Sequence, residues 1–289
     1  MSIPAVPRNY DLHCHSSFSD GTLPVEALVH YAVEQGVDVL ALTDHDSTEG
    51  VGLAQSVAAS TALQLVAGVE ISATWAGRTV HIVGLNIDIS SPLLQTGLQN
   101  LRDQRNRRAK VITERLEKKG VEGVAEGVEQ LVEGSILSRT HFARYLVQAG
   151  YAKDMAQAFK KFLTKGAPAY VAGGWAQMCE VVQWIRSAGG RAVIAHPGRY
   201  RLGNARLRQL VADFRDCGGN AIEVFSGSQP QDDGWRFIRL SQEFGLLASV
   251  GSDYHGPEQH WVQLGRMPKL PADCVPVWQD WQLEKPQQV

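Results

Sequence analysis

The chain predicts an α/β fold in which βα units surround a mostly parallel sheet. Three observations carry this expectation. Short apolar runs alternate with helical patterns in both the first and the last hundred residues. The runs suited to strands number about seven. Histidines and acids stand beside those runs, and barrels of parallel strands carry their sites at the C-terminal strand ends. A closed barrel therefore leads, with an open doubly wound sheet as the alternative.

Each element has its own justification. A strand near 10–14 leads to a helix near 24–35, with Thr22 as its cap, Pro24 in its first turn and Gly36 at its end. A strand near 37–42 and a helix near 47–60 follow. Leu65–Ile71 and Val80–Leu85 read as a hairpin around Ala76-Gly77. Helices near 175–188, 203–216 and 231–244 each precede a strand: Arg191–Ala195, Ala221–Phe225 and Leu246–Val250. Between 92 and 166 the character changes to mostly helical and rich in Arg and Lys. Residues 1–91 and 167–289 are thus expected to form the barrel, and 92–166 a helical insertion domain.

With 289 residues and 44% hydrophobic content the chain can bury a sizeable core. Its net charge of −2 argues against a protein that coats polyanions, so duplex DNA is not an expected partner. No apolar run is long enough to span a membrane, and the N-terminus lacks a cationic segment followed by an apolar one. Cys14, Cys179, Cys217 and Cys274 are widely spaced and read as reduced thiols of a cytoplasmic protein.

Six of nine histidines fall in five short patches: Asp11-Leu12-His13-Cys14-His15, Thr43-Asp44-His45-Asp46, Val80-His81-Ile82, Ala195-His196-Pro197 and Gly251-Ser252-Asp253-Tyr254-His255. Each patch is read as closing an apolar run. Side chains alternate along a strand, so His13 and His15 share a face and Cys14 takes the other, as a core residue. Asp20 and Glu70 supply further carboxylates. Taken singly, each has an ordinary reading, such as a turn residue for Asp20 or a satisfied histidine for His81. Together they would put many polar groups in one core, at a cost of about 1–3 kcal/mol for each left unpaired. Ligation of metal ions removes that cost. The donors are nitrogen and oxygen, which suits Mn, Fe or Zn. His30 and His260 keep the ordinary reading. Asp44, Asp46 and Glu223 are candidates for orienting the ligating imidazoles, and Asp46 also for capping the next helix.

This pattern resembles the polymerase and histidinol phosphatase (PHP) family: HxH at His13/His15, an acid at Asp20, TDH at Thr43-Asp44-His45, GxE at Gly68-Val69-Glu70, His81, His196-Pro197 and DxH at Asp253-Tyr254-His255. The resemblance implies a distorted (β/α)7 barrel with a trinuclear metal centre, commonly Mn2+, with Fe or Zn as alternatives, and phosphoesterase chemistry. It implies His13, His15, Glu70 and Asp253 on one metal, Glu70, His81 and His196 on a second, and Asp20, His45 and His255 on a third. Asp20, His45, Glu70 and His255 would be the catalytic set, with Asp20, His45 and His255 also near the leaving group. Asp at position 20 together with a helical insertion, seen in Ser138–Leu146 and Gly166–Val171, is similar to a subgroup acting on nucleoside 3',5'-bisphosphates. Its relatives release nucleotides from the 5' end of short 5'-phosphorylated RNA. Rivals are histidinol phosphate hydrolysis and, from another class, a catalytically silent metal-binding module.

Leu94, Leu98, Leu101, Arg105, Arg108, Ile112 and Leu116 follow helical spacing and form one stripe. Arg105 and Arg108 therefore face the barrel. Either they pair with barrel acids or snorkel to solvent, or they bind substrate phosphate. Arg139, His141, Lys165 and Arg199 are further candidates for that role.

Overall fold

The computed structural model describes residues 8–132, 136–227 and 229–282. Residues 1–7, on which the expectation about a leader rests, lie outside them. β1 (Tyr10–Cys14), α1 (Val25–Glu34), β2 (Val39–Leu42) and α2 (Val51–Ala58) come first. The hairpin β3 (Gln64–Trp75) and β4 (Arg78–Leu85) follows. The helical segment holds α3 (Pro92–Glu117), α4 (Val124–Glu129), α5 (Arg139–Gln148) and α6 (Met155–Ala158), which runs into a π-helical turn over Phe159–Leu163. Then come α7 (Met178–Ser187), β5 (Arg191–Ile194), a 3-10 turn (Pro197–Tyr200), α8 (Asn204–Asp216), β6 (Ala221–Ser226), α9 (Gln231–Phe244) and β7 (Leu247–Gly251).

The seven strands form one sheet in sequence order. β4 runs antiparallel to both neighbours, and the other neighbouring strands pair parallel. The sheet is nearly closed, which excludes the open alternative. Past the end of β7, Asp253 N donates to His13 O at 2.8 Å and His15 N to Tyr254 O at 2.9 Å, stitching the last segment to β1. The β3–β4 turn is the expected one. Ala76 and Gly77 both have positive φ, 46° and 73°, as a two-residue turn matching strand twist requires.

Strand alternation explains how the barrel becomes both core and site. Val39, Ala41, Val66, Val83, Leu85, Val193 and Ala221 pack into one apolar cluster. Leu40, Leu42, Ile71, Ile82, Ile194 and Ile222 belong to other clusters, packed with residues of the surrounding helices. Residues two apart share a face. Glu70 therefore shares the Val66 face, Glu223 the Ala221 face and His81 the Val83 and Leu85 face. Each strand contributes apolar side chains at one level and polar ones at the next.

Three expectations need correction. Pro24, not Thr22, precedes α1, and the Thr22 hydroxyl instead donates to Glu258 Oε2 at 2.9 Å. Asp46 does not cap α2, because Arg105 and the Ser72 N–H take its carboxylate. Cys179 and Cys217 are not free thiols: they form a disulfide, with Cα atoms 5.0 Å apart. The fold brings the first turn of α7 beside the end of α8, a proximity that a sequence separation of 38 conceals. Cys14 and Cys274 are free and buried.

α3 is the hinge between barrel and helical segment. Leu94, Leu98 and Leu101 join the main core, while Ala109, Ile112 and Leu116 join a separate cluster with α4, α5 and the π turn. Gly97 permits this seat, since a Cβ there would lie 2.5 Å from the Trp184 ring. Gly97→Val is expected to lower unfolding free energy by about 1–3 kcal/mol through overpacking, read from urea denaturation. An unchanged midpoint would show that α3 is not held so closely.

Candidate metal centre and substrate cavity

Glu70 lies in the middle of β3, fully buried. Its Oε1 is 2.8 Å from His81 Nδ1, 2.8 Å from His196 Nε2 and 3.5 Å from His13 Nε2. Its Oε2 is 2.8 Å from His45 Nδ1 and 3.4 Å from His15 Nε2. Asp253 Oδ1 stands 3.3 Å from His15 and 3.6 Å from His13. Asp20 Oδ1 stands 3.4 Å from His255 and 3.7 Å from His45. All nine expected ligands thus converge on one region. Three donor groups are compact enough to hold an ion: His13, His15 and Glu70; His45, Glu70 and His81; and His15 with Asp20, His45 and His255.

His81 corrects one detail of the sequence pattern. It does not close an apolar run but stands ahead of one. β4 is antiparallel, so its end nearest the site comes first in the chain.

The surrounding residues hold these side chains in place. Glu223 Oε1 meets His13 Nδ1 at 3.1 Å, and its Oε2 accepts from His196 N. Asp44 acts differently from expectation. It touches no imidazole; it accepts from Ser16 N, Ser16 Oγ and Ser19 Oγ, fixing the loop that ends in Asp20. Tyr200 Oη accepts from His81 N at 2.9 Å and donates to Ala195 O at 2.9 Å. Asp46, His196 and Asp253 have positive φ of 50°, 27° and 56°. Such backbone costs about 1–3 kcal/mol per residue and persists where surroundings over-determine it.

Charge is concentrated here. Burial alone would raise the Glu70 carboxyl, yet His81, His45 and His13 hold it well below the usual carboxylate range. Asp253 is held low against burial by Arg199 and His13, and Asp20 by His45 and His255. Burial lowers His255, but Asp20 and Asp253 outweigh it and raise the ring to about 9. His15 is pushed down to about 3 by burial and by His255. His196 falls to about 4, chiefly through burial.

The residues fit a metal. Buried His13 Nε2, His15 Nε2, Asp20 Oδ1 and His196 Nδ1 have no hydrogen-bond partner among the described residues. Folded proteins rarely leave such atoms unsatisfied, and each costs about 1–3 kcal/mol. A cation facing them satisfies several at once. Cys14 takes no part; its Sγ lies 3.3 Å from Ala41 O on the opposite face.

A cavity of about 360 Å³ opens over the cluster. His45, Glu70, His81, His196, Asp253 and His255 line it from the barrel, and Arg105, Arg108, Ser138 and Arg139 from the helical segment. Arg105 is committed: its Nε donates to Asp46 at 2.6 Å and its Nη2 to Ser72 Oγ at 2.9 Å. Arg108 donates to Val171 O and lies over the Trp175 ring. Burial, Arg139 and Arg105 pull its guanidinium down to about 9. Burial likewise lowers Arg139. Arg199 reaches Asp253 and also lines the cavity. His141 is buried off the cavity wall, where its Nδ1 accepts from Ser138 N in a capping box at the start of α5. Lys165 is exposed on the surface. Sequence reasoning missed Ser138, Tyr200 and Trp175. Ser138 Oγ donates to Asp20 Oδ2 at 3.1 Å across 118 residues, which no local pattern announces.

A PHP domain model matches residues 11–188. A 5'-3' exoribonuclease of Escherichia coli is 45% identical over 280 residues, spanning 96% of this chain and 94% of the relative. A 3',5'-nucleoside bisphosphate phosphatase of Chromobacterium violaceum is 43% identical over 273 residues, spanning 94% and 96%. The solved structure of an amidohydrolase from Chromobacterium violaceum, with bound sulfate and no metal, is similar at a TM-score of 0.89 and 44% identity, covering 93% of this chain and 94% of that one. With this match and the donor cluster that fits it, the chain belongs to the PHP family and is a hydrolase.

Proposed function

We propose that this protein removes the 3'-phosphate from nucleoside 3',5'-bisphosphates, and that it releases nucleotides from the 5' end of short 5'-phosphorylated RNA. The observation that carries this reading is a cavity with two anion-seeking walls. The barrel wall carries the buried donor cluster that fits metal ions. The helical wall carries Arg108 and Arg139, half-buried neighbouring cations with no acidic partner among the described residues. A substrate with two phosphates spans both. Similarity to relatives named as an exoribonuclease and a bisphosphate phosphatase supports the same substrates. The cavity volume of about 360 Å³ suits a nucleotide.

We assign the metals as three manganese ions, with iron or zinc as alternatives, held by His13, His15, Asp20, His45, Glu70, His81, His196, Asp253 and His255. When bound, the ions supply charge stabilisation at the phosphoryl oxygens and lower the pKa of water from about 15.7 towards ~7. Glu70 joins the donor groups, so its loss affects more than one of them. Asp20, His45 and His255 face the helical segment and are the groups nearest the leaving ribose oxygen. Arg108 and Arg139 bind the second phosphate, for which the guanidinium fork is suited. Residues 92–166 serve as a cap that carries these cations and limits water. The compartment proposed is the cytoplasm.

Three measurements test this. The first is phosphate release by manganese-loaded protein from adenosine 3',5'-bisphosphate, with histidinol phosphate and a 5'-phosphorylated dinucleotide alongside. Rapid release yielding 5'-AMP is expected; turnover of histidinol phosphate alone would overturn the substrate reading. Replacing Arg108 and Arg139 by Ala should raise KM for the bisphosphate about tenfold or more, as loss of a charge-assisted contact worth about 1.5–3 kcal/mol requires, and leave KM for 3'-AMP nearly unchanged. Equal effects on both would remove the two-phosphate model.

The second is Glu70→Ala, which should lower metal bound per chain, read by plasma mass spectrometry, and abolish most turnover. Wild-type metal content would refute the bridging role. The third is proton release. His255 is protonated below about 9 in the metal-free protein and must be neutral to ligate. Metal uptake at pH 7 should release protons, and affinity should rise from pH 7 to pH 9. Calorimetry in buffers of different ionisation enthalpy reads this directly, and uptake without proton release would contradict it.

A further inference from the structure

A second cavity, of about 350 Å³, lies beside the catalytic one, between the loop after β6 and the segment after β7. The two are neighbours through one contact. Gln229 lines the second cavity, and its Oε1 accepts from Gly198 N at 2.8 Å. Gly198 belongs to the same turn as Arg199, which lines the first cavity. The second cavity does not contain the donor cluster and plays no part in the chemistry proposed above.

Its lining has a distinct character. Trp261 is 74% exposed there, and Arg266 and His260 stand exposed with it. Phe225 and Met267 supply apolar surface. An accessible indole offers a stacking face to any base, and a guanidinium beside it offers a phosphate partner. Those are the two components of sites for single-stranded nucleic acid. Such stacking tolerates sequence, because every base has a π-face.

Polarity along the substrate sets what can reach it. The 5'-phosphate is read as bound by Arg108 and Arg139, which come from α3 and α5. Arg199 and Gln229 come from the barrel loops instead. A chain continuing beyond the scissile phosphate therefore leaves past these loops, away from the helical segment. We infer that the second cavity is a downstream RNA subsite, in which a base 3' to the scissile bond stacks on Trp261 and Arg266 takes a backbone phosphate. This inference rests on the exoribonuclease half of the function proposed above. A nucleoside bisphosphate ends at the scissile phosphate and does not reach the subsite.

The test compares wild type, Trp261→Ala, Trp261→Phe and Arg266→Ala on adenosine 3',5'-bisphosphate and on 5'-phosphorylated RNA of increasing length. Bisphosphate turnover should be unchanged in all variants, which also shows that they fold. In Trp261→Ala, KM for the longer RNAs should rise about tenfold, as loss of a stacked base worth about 1–3 kcal/mol implies. Trp261→Phe should restore most of that loss, and Arg266→Ala should weaken the dependence of KM on salt. Unchanged KM across all lengths in Trp261→Ala and Arg266→Ala overturns the subsite while leaving the proposed function standing. Wild-type protein that turns over the bisphosphate but no RNA overturns both the subsite and the exoribonuclease reading.

Discussion

The structure depends on one buried carboxylate. Glu70 is reached by five imidazoles, from His13, His15, His45, His81 and His196, which two strands and three strand-end loops deliver. Pairwise hydrogen bonding satisfies His81 and one nitrogen of His196 through Glu70 Oε1 but cannot satisfy the whole set, because five imidazoles point at two carboxylate oxygens. Protons and metal ions are the two currencies that can neutralise them. Protons do so incompletely: His255 is raised while His15 and His196 are driven down within the same few ångströms. Cations that accept several donors each meet the demand of the whole set. The barrel can tolerate this because its apolar level, from Val39 to Ala221, lies apart from the polar one and carries the packing.

The helical segment is tied to that centre at two points, both polar and both buried. Arg105 on α3 holds Asp46, whose other oxygen takes the Ser72 N–H two residues beyond Glu70 on β3. Ser138, the cap of α5, holds Asp20, and Arg144 on the same helix donates to the Asp20 carbonyl at 2.7 Å. Breaking a buried ion pair by removing one partner is far more costly than losing an exposed one. The cap is therefore positioned by the same loops that carry expected ligands. A displacement of α3 would reach the donor cluster through Asp46, and one of α5 would reach it through Asp20 itself.

Local patterns revealed what local physics determines. Alternation placed His13 and His15 on one face and Cys14 in the core, and the strand and helix ranges follow from runs of apolar residues. The residues expected as ligands were named through motif resemblance, and the fold brings them to one region, from strand ends and, for Glu70, from the middle of β3. What stayed hidden depends on contacts between distant elements. Nothing near Cys179 points to Cys217, and nothing near Ser138 points to Asp20. The reading of Arg105 was open between acid and phosphate, and the position of Asp46 decides for the acid at Nε. Asp44 looked like a partner for an imidazole because it precedes His45. Only the path of the Ser16–Asp20 loop shows that it supports another ligand instead.

Arg105 and Arg108 lie three residues apart on one helix and differ in what they lack. Arg105 has a carboxylate, Asp46, as the partner of its buried charge. Arg108 has a carbonyl and an indole face, both weaker partners for a half-buried cation, and Arg139 beside it makes the deficit larger. A cavity lined by a metal-fitting donor cluster from the barrel and by under-compensated arginines from the helical segment is stable only at some cost while empty of anions. Binding a second phosphate removes part of that cost, and the gain is unavailable to a monoester that reaches the metals alone. Selectivity then needs no shaped pocket for the base. On the function proposed above, it follows from where the under-compensated charge stands, on the helical wall of the cavity that Glu70 lines from the barrel.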